Sequence, residues 1–115
     1  MSDMNQVRLR LQQFVQLRDW ARFHSPKNLV MALAGETGEL IEHFQWLTEE
    51  QSCHLPVDKL QAVADEIADV QLYLIMLADK LGLDIFVECE RKMRKNAEKY
   101  PVEQAKGRAD KYTGL

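Results

Sequence analysis

Two pairs of acids, each three residues apart, stand in segments whose remaining side chains are largely apolar. Gly35-Glu36-Thr37-Gly38-Glu39 carries the first pair, and Asp65-Glu66-Ile67-Ala68-Asp69 carries the second. Residues three apart share one face of a helix. With Glu36 at zero on a helical wheel, Glu39 falls at about -60°, while Leu29, Leu33, Leu40, Phe44 and Leu47 fall between about 20° and 80°. Glu66 and Asp69 likewise share a sector with Ala62, Val70, Tyr73 and Leu77. One such pair ordinarily decorates a solvent face; two pairs bordering apolar stripes on consecutive helices point to a site. Four carboxylates brought together repel one another and are costly to desolvate, and a divalent cation relieves both costs. All-oxygen donors suit Mg²⁺, Mn²⁺ or Ca²⁺ rather than zinc. A di-iron site of the helical-bundle kind requires Glu-x-x-His pairs. The sequence has none, and Glu39-x-x-x-His43 has the wrong spacing.

Aromatic side chains flank the acids. Tyr73 lies one turn beyond Asp69, Trp46 two turns beyond Glu39, and Trp20 just before the second helix. Aromatic faces of this kind stack on nucleobases, although helix packing explains them equally well. Lys92 and Asn96, one turn apart, suit phosphate and sugar contacts, and also suit a solvated helix face. His24 and His54 receive no role in the chemistry. Cys53-His54 lacks a second ligand pair at zinc-finger spacing, and Cys53 and Cys89 form no CxxC. They read as two reduced thiols of a cytoplasmic protein.

Four helices and a tail must position these residues, making the chain all-α. The first runs from about Asp3 to Ala21, with Val7, Leu11, Phe14, Leu17 and Ala21 at helical steps. Ser25-Pro26 reads as an N-cap followed by proline at the first helical position. That second helix is expected to continue to about Thr48, with residues 49–56 as a connecting loop. A third runs from about Asp58 to Leu81, where Gly82 stops it. Asp84 caps a fourth, which ends at Tyr100 because Pro101 cannot continue it. Residues 101–115 read as a flexible tail, and 1–115 as a single domain.

Helices two and three are apolar on most sides, and one short chain has too few helices to cover both. The expectation is a homo-oligomer that buries them between subunits. The net charge of -3 gives no basic footprint for nucleic acid. No run is apolar enough to cross a membrane, and Met1-Ser2-Asp3-Met4-Asn5 has no signal-peptide character.

The ordered set of these residues resembles the MazG-like, all-α nucleoside triphosphate pyrophosphohydrolases, and within them the dCTP pyrophosphatase branch. Glu36-x-x-Glu39 and Glu66-x-x-Asp69 resemble the metal-binding signature. The similarity extends through Arg18-Asp19-Trp20, Phe23-His24, Pro26-Lys27-Asn28-Leu29, Phe44-Gln45-Trp46, Lys92-Met93, Asn96, Tyr100-Pro101 and Lys111-Tyr112-Thr113. The resemblance implies a four-helix MazG-like bundle, with Mg²⁺ (Mn²⁺ as substitute) held by Glu36, Glu39, Glu66 and Asp69. It implies Trp20, Trp46 and Tyr73 around base and sugar, Lys92 and Asn96 toward the nucleotide, and a tetramer made as a dimer of dimers. The implied reaction cuts dCTP or a modified cytosine nucleotide to monophosphate and pyrophosphate, with Glu36 or Glu39 as catalytic proton acceptor. Gly35 stands where many MazG proteins carry a further glutamate, which leaves the number of metals open. The alternatives are a helical module that binds nucleotide or metal without turnover, and a purely structural oligomerisation domain.

Overall fold

The computed structural model describes residues 3–114. Met1, Ser2 and Leu115, which end the expected N-terminal segment and tail, lie outside the described residues. The fold is all-α, with no strand among the described residues. It divides into two compact units, Met1–Gly82 and Leu83–Leu115.

The first unit is built on three long helices, α1 (Met4–Leu17), α2 (Pro26–Glu42) and α4 (Val57–Lys80), with a one-turn α3 (Glu49–Ser52) between the last two. The Asp3 carboxylate caps α1 by accepting from the Gln6 N–H at 2.8 Å. The expected continuation of α1 to Ala21 is cut short at Leu17. Asp19 turns into the left-handed region (φ 54°), the Trp20 N–H donates back to Val15 O, and the Asp19 N–H to Gln16 O. That pair of bonds is a Schellman closure with aspartate where glycine is usual. A three-residue 3₁₀ turn, Ala21–Phe23, follows.

Ser25 caps α2 through the Asn28 N–H at 3.1 Å, with Pro26 inside the first turn as expected. The far end differs from expectation: α2 stops at Glu42, not near Thr48. Thr48 adopts extended backbone and forms a capping box with Gln51, each backbone N–H donating to the other's side chain, at 2.9 and 3.1 Å. A residue committed to starting α3 cannot also continue α2. Residues 43–47 bridge the two with tight turns. Gly82 (φ 71°) closes α4 where expected.

α4 packs along α2 and, over a shorter length, against α1. Leu29 and Ile75 are fully buried at the centre, with Val15, Val63 and Ala78 beside them. Truncating a residue so placed typically costs about 2–5 kcal/mol. Other apolar side chains on these helices remain open, among them Val30, Met31 and Ile41 on α2 and Leu60 and Ile67 on α4.

In the second unit, Asp84 caps α5 (Ile85–Lys99), accepting from the Phe86 and Val87 N–H groups. Where sequence suggests a flexible tail, the chain forms α6 (Val102–Ala105) and a 3₁₀ turn at Tyr112–Gly114; Arg108 pairs with Asp110 and donates to Gly114 O. Cys53 and Cys89 are both free and exposed.

Candidate active site

Packing of α2 against α4 brings two acid-bearing turns together and creates the site. α2 presents Glu36 and Glu39, α4 presents Glu66, and each of the three offers one carboxylate oxygen within 4.8 Å of the others. Glu36 Oε2 and Glu66 Oε2 are shut off from water, and no donor reaches either. Buried carboxylate oxygens without donors are costly. Without a cation the strain shows in the acidities. The Glu36 carboxyl is pushed up to about 7, by burial first, then by the Glu39 charge, the neighbouring Glu66 carboxyl and the Asp69 charge. Glu66 is also raised, by burial first and by Glu39 and Asp69, against an opposing effect of Glu36.

Donor set and acidity both fit a divalent cation, which would satisfy the two orphaned oxygens and cancel the repulsion. Glu36, Glu39 and Glu66 would hold it. Asp69, the fourth acid expected there, stands one turn along α4 outside this triangle and acts on Glu36 and Glu66 through its charge. Asp65, by contrast, is engaged by Gln61 on its own helix (3.2 Å) and takes no part.

Asp69 also lines a cavity of about 230 Å³ between α1, the turn after it, and α4, together with Trp20, His24, Tyr73 and Met76. The Schellman closure puts Trp20 there, and the Trp20 ring packs edge-on against Phe14 at 5.7 Å. Trp20 and Tyr73 thus line one cavity with Asp69. Trp46 does not line it. The helical register that would set it two turns beyond Glu39 ends at Glu42, and Trp46 is 86% exposed in the turns that follow. Lys92 and Asn96 sit exposed one turn apart on α5, in the second unit. Lys99 above all, then burial, Lys95 and Arg91, lowers Lys92 from the usual lysine range. Sequence reasoning passed over His24. The signal available was its place four residues beyond Trp20, in the same connection between α1 and α2.

Comparison with known proteins agrees with this architecture. The model of the MazG-like family matches residues 32–115. dCTP pyrophosphatase 1 of Mus musculus is 42% identical over 105 residues, covering 90% of this chain and 62% of that protein. The Homo sapiens protein of the same name is 39% identical over 106 residues with the same coverage. The chain therefore spans about 62% of the length of the curated relatives it matches. A pyrophosphatase crystal structure from Archaeoglobus fulgidus superimposes with a TM-score of 0.81 and 34% identity, over 88% of this chain and 94% of that one. With residues 32–115 matched and the helical framework shared at that level, this chain belongs to the MazG-like family.

Proposed function

We propose that this chain hydrolyses a deoxynucleoside triphosphate, dCTP or a modified cytosine nucleotide, to the monophosphate and pyrophosphate with Mg²⁺ as cofactor. The observation that carries this reading is the pair of orphaned carboxylate oxygens on Glu36 and Glu66, set one helical turn from a small aromatic cavity. Whole ligands of drug size take pockets of roughly 300–1,000 Å³, so about 230 Å³ suits a base rather than an entire nucleotide. The names of the curated relatives and of the solved neighbour support a pyrophosphate-releasing reaction and, for the relatives, dCTP.

Glu36, Glu39 and Glu66 would hold Mg²⁺, with Mn²⁺ as substitute, and we assign Asp69 to complete the set from the next turn of α4. When bound, such a cation lowers the pKa of the attacking water and neutralises charge on the departing pyrophosphate. The chain's own residues do the rest. Trp20 and Tyr73 grip the base, and we assign Trp46 to the nucleotide as a further contact. Asp69 joins the base cavity to the acidic cluster, so the phosphate nearest the sugar lies at the acids. Glu39 is the most open of the three clustered carboxylates, and its oxygen is placed to take the proton from water, with Glu36 the second acceptor. We assign Lys92 and Asn96 of α5 to phosphate and sugar. Positioning and electrostatics suffice for phosphoryl transfer, so no serine, cysteine or lysine nucleophile is needed.

We further propose a tetramer, formed as a dimer of dimers, in the cytoplasm. The apolar side chains left open on α2 and α4 support assembly, and no helix among the described residues is long and apolar enough to cross a membrane. The test is phosphate release from dCTP by the chain, Mg²⁺ and added inorganic pyrophosphatase. Calorimetric nucleotide binding without any product would favour a binding module instead.

A further inference from the structure

We infer that His24 reads the hydrogen-bonding edge of the base and so sets which base this chain accepts; this rests on the nucleotide reading above. The cavity has a direction. Its α4 wall begins at Asp69, beside the acidic cluster, and continues through Leu72 and Tyr73 to Met76. A second cavity, of about 390 Å³, takes over at Met76 and runs to Asp79 and Lys80. Leu11, Val15, His24 and Met76 line both, so they form the partition at the far end of the first, and His24 is the one nitrogen-bearing side chain among them. Asp69 to Met76 is seven residues, or about 10 Å along the helix. A nucleotide with its phosphates at the acids therefore ends with its base against that partition.

The chemistry of the lining singles out His24. Leu11, Phe14, Val15 and Leu72 are apolar, and stacking on Trp20 and Tyr73 tolerates every base because every base has a π-face. Trp20 offers only a donor, and Asp69 and the Tyr73 hydroxyl belong to the turn of α4 nearest the acids, whereas a neutral imidazole offers one donor and one acceptor at the partition. Discrimination between bases needs edge pairing that the wrong base leaves unmade. The His24 ring is half-buried, and among the described residues no hydrogen bond or ion pair reaches it. Its backbone, in contrast, is fixed. The His24 N–H donates to Ala21 O at 3.1 Å, the same oxygen accepts from Lys80 Nζ at 3.3 Å, and Asn28 Nδ2 donates to the adjoining Phe23 O at 3.0 Å. A ring on a held backbone, with both nitrogens unspent at the end of a base-sized cavity, is a reader awaiting its partner.

The experiment compares kcat/KM for dCTP, dUTP, dTTP, dATP and dGTP in the full chain with Mg²⁺, before and after His24→Phe and His24→Asn. Phenylalanine keeps a ring and removes both polar nitrogens; asparagine keeps polarity but is too short to reach. For the preferred base kcat/KM should fall about three- to tenfold, in KM rather than kcat. Its advantage over the other bases should shrink by the same factor, while the Mg²⁺-induced rise in melting temperature persists. Unchanged selectivity in folded His24→Phe overturns the inference. If that variant does not fold, selectivity in His24→Asn decides, a loss supporting the inference and no change overturning it. A wild-type chain that hydrolyses none of the five overturns the nucleotide reading itself, which is a distinct result.

Discussion

Glu36 on α2 and Glu66 on α4 each keep one carboxylate oxygen out of water with no donor in reach, and the two side chains bring oxygens within 4.8 Å of each other. Folding alone would not retain such a pair, since burial and mutual repulsion both oppose the charged forms. The conflict is local, confined to one turn of each helix, and a cation resolves it.

Substitution of either residue should therefore separate stability from activity. Glu36→Gln and Glu66→Gln are expected to raise the melting temperature of the metal-free chain by a few degrees, because a buried charge is removed. The same variants should lose at least about a hundredfold in turnover. Thermal melts in chelator and pyrophosphate-release rates check both halves. A destabilised metal-free variant that still turns over normally would detach these residues from the site.

The pH dependence follows from the raised acidity constants. The Glu36 carboxyl stands at about 7 against an ordinary value of 4.5, so its protonated form is the one the fold favours. Its contribution to stability is fully present below about 4.5, declines as pH rises, and is lost above about 7. Glu66 is shifted in the same direction. Chelated protein should accordingly lose stability between pH 4.5 and 7, and Mg²⁺ should stabilise it more strongly at the upper end, where its ligands are ionised. Denaturation midpoints with and without Mg²⁺ across this range give the answer; a metal-free midpoint that rises steadily with pH would contradict it.

Much of this framework is legible in the sequence. Ser25-Pro26, Gly82 and Asp84 mark helix ends by their chemistry, and the structure uses all three. Asp19 was illegible because aspartate adopts the left-handed turn only where neighbouring bonds hold it, as Val15 O and Gln16 O do here. Thr48-x-x-Gln51 carried a readable capping signal, but the apolar run through Phe44 and Leu47 masked it, and Trp46 was placed on a helix that had already ended. Helical spacing pairs Glu36 with Glu39 and Glu66 with Asp69, yet only a tertiary arrangement could tell that Asp69 turns toward the cavity lined by Trp20 and Tyr73.

Assembly is tested through the uncovered apolar side chains. Thr37, Leu40, Ile41, Phe44, Val63 and Ile67 line an open groove of about 410 Å³ on the α2–α4 face. Light scattering should find about four chains of 13.4 kDa each, and Ile41→Asp or Ile67→Asp should give smaller species. A monodisperse 13.4 kDa wild type at micromolar concentration would refute assembly.

The two tryptophans give a direct optical test of the base cavity. In Trp46→Phe only Trp20 remains, and stacking of a base on it should quench its fluorescence with saturable dependence on nucleotide. Emission from Trp20 that ignores nucleotide at concentrations supporting turnover would remove it from the site.

The position of the cut tests the central claim most directly. Asp69 lines the aromatic cavity and acts on the acidic cluster through its charge, so on the reading proposed above a base in that cavity puts the α-phosphorus beside the attacking water. Hydrolysis of dCTP in ¹⁸O-labelled water, read by mass spectrometry, is expected to place one label in the monophosphate and none in the pyrophosphate. Label in the pyrophosphate would mean attack at the β-phosphorus, and orthophosphate released with a nucleoside diphosphate would contradict the arrangement of base, acids and water altogether.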